Sequence, residues 1–241
     1  MVPLEGTPAA RMFDRIRKVF QREPKEREGE AAASQSAHGP VSEWAATRGM
    51  SFSSGPEGHT VSMQGRVGGH PWRMELGKPT RDFISGEELR ARAELGVFDD
   101  IGAMIINRPL KEALERRAYS MITDTLQTTV DPRLPEEMRW LAIYDEIGWD
   151  GVPQAFWQRY AVVSDKREHA LAWVDDALVK LLLAWPAPAP SPQVPFMVVL
   201  LRGKCYLRMQ YQPAITSTLD HATAVFTAAC ESALGAFGAG K

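Results

Sequence analysis

Arginine, histidine and carboxylate side chains are concentrated in one short segment, GRVGGHPWRMELGKPTRD, which spans residues 65 to 82. Arg66, Arg73 and Arg81 are candidates for binding a phosphate or carboxylate, because a guanidinium group donates paired hydrogen bonds to such anions. Glu75, on the same stretch, would partly neutralise them. The segment therefore has two interpretations, an anion-binding site and a structural hairpin.

The hairpin interpretation follows from the pair Gly68-Gly69, which is typical of a two-residue turn and fixes the pairing of the flanking strands. In that register Gly65 faces Trp72, so the glycine leaves room for the indole ring. One face of the hairpin is then almost wholly apolar and carries Val61, Met63, Gly65, Val67, His70, Trp72, Met74 and Leu76. The other face is polar and carries Ser62, Gln64, Arg66, Pro71, Arg73 and Glu75. This separation favours a structural hairpin and leaves the solvent-facing arginines as the alternative site.

A catalytic interpretation needs a base as well as an anion-binding group. The segment YDEIGWDG, residues 144 to 151, places Asp145 and Asp150 around the bulky Trp149 in a predicted turn. The alternative function is therefore an enzyme or a binding protein for a small anionic ligand, with the three arginines holding the anion and a carboxylate of this loop as base. Most other acidic pairs are neighbours on predicted helices and do not face one another, which favours solvated surfaces.

No cofactor or metal is expected from the sequence. The five histidines stand singly, without the spacings that zinc sites use, and the chain has neither a glycine-rich phosphate loop nor a nucleophile elbow. We interpret Cys205 and Cys230, the two cysteines, as reduced core residues. These features favour a protein without catalytic activity over an enzyme.

Residues 11 to 22, RMFDRIRKVFQR, form a separate candidate site. Their apolar residues recur at helical spacing and make one stripe. The opposite face is basic, with five basic residues against Asp14 and a local net charge of +4. Such helices lie on anionic membrane surfaces or dock in grooves of partner proteins. The predicted contact residues are Phe13, Ile16, Arg17, Lys18, Val19 and Phe20.

The chain is expected to have three parts. Residues 1–22 carry the basic amphipathic helix, with Met12 as a candidate native start. Residues 23–40 are charged and then rich in alanine and serine, with no aromatic or branched aliphatic residue, which predicts a flexible linker. The hydrophobic patterning of residues 41–241 is typical of a folded domain. The order of its predicted elements suggests a pseudo-repeat over 41–130 and 150–241.

Composition excludes several functional classes. Twenty-eight basic residues against 30 acidic ones give a net charge of −2, so the chain has no global attraction to nucleic acid. It has no apolar run of membrane-spanning length and no secretory signal, which predicts a cytoplasmic protein, with peripheral attachment at the inner face of a membrane. The predicted partner is an unknown protein or an anionic membrane surface. The sequence is also compatible with a homo-oligomer.

Strand patterns place the candidate residues on two hairpins. SFSS at 51–54 precedes the first hairpin, and a second pairs PFMVVLL with KCYLRMQYQ around Arg202-Gly203. On the second strand of that pair, Cys205, Leu207, Met209 and Tyr211 share one face. Buried strands are also predicted over AMIIN, residues 103–107, and RYAVVS, residues 159–164.

Helical patterns separate these strands. Ser85 and Glu88 make a capping box that predicts a helix through Leu95. A similar box at Asp165 and Glu168 predicts one helix to Trp185, with Leu171 on its buried face. Other helices are predicted from Val41 to Gly49, from Pro109 onward, from Pro135 to near Gly148, and from Thr216 to Phe237. The predicted fold is α+β, with two antiparallel hairpin-plus-helix units whose helices pack on one side of the sheet, after a disordered N-terminal linker.

Overall fold

The computed structural model of the protein describes residues 39–55, 60–123 and 136–238. Within these ranges nine strands form one antiparallel sheet, in the spatial order β1-β2-β3-β4-β9-β8-β5-β7-β6. The strands are β1 (Ser51–Ser54), β2 (Val61–Val67), β3 (His70–Gly77), β4 (Glu88–Glu94), β5 (Gly102–Asn107), β6 (Asp145–Glu146), β7 (Tyr160–Ser164), β8 (Phe196–Leu201) and β9 (Lys204–Gln210). The predicted α+β class is confirmed.

Seven helices of the described ranges pack against this sheet. They are α1 (Gly39–Thr47), α2 (Arg108–Thr123), α3 (Glu136–Ile143), α4 (Gln154–Arg159), α5 (Arg167–Trp173), α6 (Asp176–Leu183) and α7 (Thr216–Phe237). Gly39 and Pro40, which we assigned to the linker, belong to α1, and residues 1–38 lie outside the described part of the chain. No helix of the described ranges is long and apolar enough to span a membrane.

The predicted register of the first hairpin is confirmed pair by pair, from Val61 with Leu76 to Val67 with His70. Gly68 and Gly69 form the turn with φ values of 53° and 83°, a conformation that glycine adopts without strain. Trp72 is buried over Gly65, where a Cβ atom would overlap the indole ring. The glycine is thus required by the close approach of this side chain.

Most of the core lies on the first face of the sheet, beneath α1, α4, α5, α6 and α7. On β9, Cys205, Leu207 and Met209 are buried together on this face, as the alternation predicts. The long helix α7 agrees with its predicted bounds and contributes Phe226, among others, to this core. The two predicted hairpins therefore join one sheet and one core.

The second face of the sheet is covered over only part of its width. Leu110 and Leu114 of α2 and Met138 of α3 pack on Met104 and Ile106 of β5, in a second and smaller core. The structure thus differs from the predicted one-sided arrangement by these two helices. Beside them, the second face of β3 and β4 carries mainly polar side chains, of which Arg73 and Arg92 are exposed and Glu88 is buried.

The predicted helix from Ser85 to Leu95 is wrong, because this segment forms β4 between β3 and β9. Leu89, Ala91 and Ala93 alternate with polar residues and are buried on the first face. Leucine, alanine, arginine and glutamate all favour helices, so local preference pointed the wrong way. Pairing with two neighbouring strands determines the outcome.

The predicted helix from Asp165 to Trp185 is in fact two helices, α5 and α6, separated at Val174 and Asp175. Asp165 does not cap α5, and its Oδ1 lies 2.9 Å from Nδ1 of His169. Leu171, predicted to be buried, is 42% exposed, and the buried residues of α5 are Ala170 and Trp173. Helix α3 also ends earlier than predicted, at Ile143, and the short strand β6 follows it.

Asp175→Ala is expected to lower the free energy of unfolding by about 1 kcal/mol, within the range of about 0.5–2 kcal/mol for loss of a helix N-cap. The Asp175 carboxylate accepts a 2.8 Å hydrogen bond from the Leu178 N–H, which has no other partner in the first turn of α6. Urea denaturation measures the loss. Asp176→Ala, one residue inside the same helix, is the control, and equal losses in the two variants would contradict the capping role.

Candidate functional site

The open part of the second face forms a groove of about 810 Å³ between the sheet and α3. Alternation along β3, β4 and β9 places every second side chain in it. Arg73 comes from β3, Arg90 and Arg92 come from β4, and Arg208 comes from β9. We call this surface the arginine groove and define it by these four residues together with Arg81 and Glu137 at its edge.

The four strand arginines form two directly opposed pairs. Arg73 on β3 pairs with Arg92 on β4, and Arg90 on β4 pairs with Arg208 on β9. Opposed cross-strand side chains lie about 5 Å apart at Cβ, where like charges destabilise a sheet. Both pairs therefore require negative charge close by.

Glutamates on the same strands supply part of that charge. Glu75 forms a salt bridge with Arg73 at 2.6 Å and accepts a hydrogen bond from Arg90 at 2.7 Å. The fully buried Glu88 accepts from the Arg208 guanidinium and from the Thr80 N–H. Burial lowers the pKa of Arg208, and the nearby charge of Arg81 adds to this effect while Glu88 opposes it.

Helix α3 brings one further carboxylate to the groove. Glu137 is 5% exposed, and its Oε1 accepts a 2.8 Å hydrogen bond from Arg81 Nε and lies 3.9 Å from Arg208 Nε. Its Oε2 is also buried, and no residue of the described chain forms a hydrogen bond with it. Glu137 thus bridges two cations with one oxygen and leaves the other unpaired.

The wall of the groove next to α3 is apolar. Trp140 and Tyr206 lie half-buried at the groove, near Leu201 of β8. Tyr206 on β9 pairs with Arg92 on β4, so the apolar wall and the arginines of the groove lie side by side at this position. Six arginines and four glutamates line the groove, and Glu88 lies beneath it. The surface is therefore slightly basic on one side and apolar on the other.

Two of the three predicted anion-binding arginines lie in this groove. Arg73 and Arg81 line it, whereas Arg66 donates a 2.6 Å hydrogen bond to the carbonyl oxygen of Gly69 in its own turn and lines a different depression. Arg90, Arg92 and Arg208 were not among the residues predicted to bind an anion. Arginine alternates with buried residues on β4 and β9. This pattern indicates the three arginines only when β4 is assigned as a strand, and the sequence predicted a helix there.

The structure does not bring the predicted base to these arginines. Asp145 and Glu146 form β6 at the far edge of the sheet, six strand spacings or about 29 Å from β3. Glu146 binds Arg108 at 2.9 Å and Lys111 at 3.0 Å. Burial raises its pKa, but hydrogen bonds from these two cations outweigh that effect and lower it. Trp149 packs edge-on against Trp157.

Other reactive side chains of the described chain are used structurally. Ser164 donates to Asp165 rather than to His169, so these three residues do not form a nucleophile, base and acid in series. Cys205 and Cys230 are both buried and free, and burial together with the adjacent thiol of Cys230 raises the pKa of Cys205. The described residues contain no cluster of three or more potential metal ligands.

The candidate contact residues of the N-terminal helix, from Phe13 to Phe20, lie outside the described ranges, so their role remains a prediction. Comparison with known proteins gives no family. No protein-family model matches the chain, and no curated protein matches it in sequence. Among solved structures it is similar to the crystal structure of the mycobacterial trehalose monomycolate transport factor A, TtfA, with a TM-score of 0.45 and 10% identity. The match covers 82% of this chain and 94% of that one, and a likeness at this level assigns no function.

Proposed function

We propose that this protein is a non-enzymatic interaction protein whose folded body binds an anionic group of its partner in the arginine groove. One observation carries the proposal: two opposed arginine pairs lie side by side in the groove between the sheet and α3. Stability alone favours opposite charges at such positions. An anion placed between the two rows would neutralise charges that the sheet holds close together.

The arginines keep hydrogen-bonding capacity for such an anion. Each guanidinium has five N–H donors. Among the described residues, Arg73 is paired with Glu75 and Arg92 with Glu94, and their side chains are 59% and 51% exposed. The unused donors can form bidentate hydrogen bonds with a carboxylate or phosphate.

The chemistry of the lining supports binding rather than catalysis. The described residues of the groove include no histidine, cysteine, serine or lysine. Glu75, Glu94 and Glu137 each accept a hydrogen bond from an arginine. At Glu94 the hydrogen bond from Arg92 lowers the pKa of the carboxyl, which makes this group a weaker general base.

Binding of tripolyphosphate to the full chain tests the proposal. Isothermal titration is expected to show saturable binding that weakens tenfold or more in Arg73→Gln/Arg92→Gln, because two charge-assisted hydrogen-bond donors are lost. Arg48→Gln/Arg116→Gln removes the same charge outside the groove and serves as the matched control. Equal affinities in the two double variants, or an unmodified chain that binds neither tripolyphosphate nor an acidic peptide, would show that the groove is not an anion site.

For residues 11–22 we propose the role that their pattern predicts, recruitment of the folded body to an anionic membrane surface or to a groove in a partner protein. The support is the apolar stripe beside a local charge of +4 in a chain of net charge −2. The two proposals are compatible, since one concerns where the protein is held and the other concerns what its body binds.

A further inference from the structure

We propose that the ligand of the arginine groove is an acidic peptide segment of a partner protein that carries an apolar side chain next to its carboxylates, and that Glu137 recognises a backbone N–H of this segment. This inference rests on the proposed function and adds the chemical class of the ligand. It follows from the unpaired oxygen of Glu137, from the apolar wall and from the dimensions of the groove.

The unpaired oxygen identifies a donor that the ligand must supply. Glu137 is more than nine-tenths buried and lines the groove, and its Oε2 has no hydrogen-bond partner in the described chain. A buried acceptor without a partner is costly, so a ligand that donates to it gains affinity. A sulfate or carboxylate ion has no such donor at neutral pH, whereas an acidic peptide has backbone N–H groups close to its carboxylates.

The apolar wall limits the apolar part of the ligand to about one side chain. Met197 and Val199, at the floor of this wall, are already buried by α2 and α3, so Trp140, Tyr206 and Leu201 provide the accessible surface. An acyl chain needs a much longer apolar channel. The wall therefore favours a peptide side chain over a lipid tail.

The length of the groove fits a short extended segment. From Leu201 on β8 to Arg73 on β3 the groove crosses three strand spacings, or about 14 Å. Four or five extended residues cover this distance at about 3.4 Å each. Such a segment can place an apolar side chain at Trp140 and carboxylates over Arg92 and Arg90.

Fluorescence polarisation with labelled hexapeptides of five glutamates and one leucine, with leucine at each of the six positions, tests the inference on the full chain. We expect the best of these peptides to bind and its affinity to fall about tenfold when one backbone nitrogen is methylated. In Glu137→Ala the plain and methylated peptides should bind equally, and Glu137→Gln, which keeps an acceptor oxygen, should restore part of the difference. Glu136→Ala, the neighbouring glutamate on α3, should leave the difference unchanged.

The outcomes separate this inference from the proposed function. The comparison of two peptides on the unmodified chain needs no variant, so it remains decisive even where Glu137→Ala fails to fold. Binding that is insensitive to methylation at every backbone nitrogen would overturn the role of Glu137. Binding of tripolyphosphate, or binding of phosphatidylglycerol vesicles that is lost in Arg73→Gln/Arg92→Gln, without binding of any hexapeptide would overturn the peptide as ligand and leave an anion-binding groove. Failure of all three probes would overturn both proposals.

Discussion

Trp72→Ala is expected to lower the free energy of unfolding by about 3 to 5 kcal/mol, the range for truncation of a large buried aromatic side chain. The indole is 4% exposed, lies over Gly65, and meets the ring of Phe226 edge-on at 6.2 Å between centroids. Removal of the ring leaves a cavity between the first hairpin and α7. Because Gly65 has no side chain, it cannot fill that space.

Urea denaturation followed by far-ultraviolet circular dichroism measures this loss. Arg73→Ala, next to Trp72 on the other face of β3, is the control, and its cost should stay below about 1 kcal/mol because the side chain is exposed. A loss of less than about 1 kcal/mol for Trp72→Ala would mean that the ring does not support this junction.

The first hairpin could be predicted in detail because local information determines it. The Gly68-Gly69 turn sets the register, and a shift of one residue would move Met63 and Met74 from the core to solvent. The second hairpin around Arg202-Gly203 and helix α7 have equally strong periodicity. Periodicity was sufficient for the helix, and periodicity with a glycine at the turn was sufficient for the two hairpins.

Strand β4 could not be predicted in the same way because its local preference and its environment disagree. Its sequence, ELRARAE, consists of strong helix formers, and a short apolar alternation of leucine and alanine is a weak strand signal. The structure places it between β3 and β9, and its partners on β9 lie more than 100 residues away. Pairing with these two neighbours outweighs the local preference for a helix.

The arginine groove could not be predicted from the sequence without a correct assignment of β4. Arg90 and Arg92 stand at its centre, and Arg73 and Arg208 reach them only because β3 and β9 pair with β4 on either side. A sequence pattern can indicate that Arg73 is on a polar face, but it cannot indicate which other polar face lies beside it. For the same reason the pattern could not show that Asp145 lies at the opposite edge of the sheet.

The largest effect on localisation is expected from Phe13→Glu/Phe20→Glu, which should abolish co-sedimentation of the full chain with vesicles containing phosphatidylglycerol. The predicted helix presents both rings on its apolar stripe, while its basic face contributes on the order of 1 kcal/mol per cationic residue near an anionic leaflet. A helix of about twelve residues is marginal in water, so it needs the membrane to form. The two glutamates remove the apolar contact of the phenylalanine rings with the membrane. Their negative charges also weaken the attraction between the basic face and the anionic lipids.

Binding by the unmodified chain should require anionic lipid and should weaken with added salt, because charges are screened over about 10 Å at 0.1 M. Phe98→Glu/Ile143→Glu is the matched control, since it makes the same change in charge at two exposed apolar residues of the folded body. Equal loss in both double variants would place the membrane contact on the body rather than on residues 11–22. If the unmodified chain does not bind vesicles at all, the membrane proposal fails, and the apolar stripe must instead dock on protein, where the same pair of substitutions in residues 11–22 should release the partner.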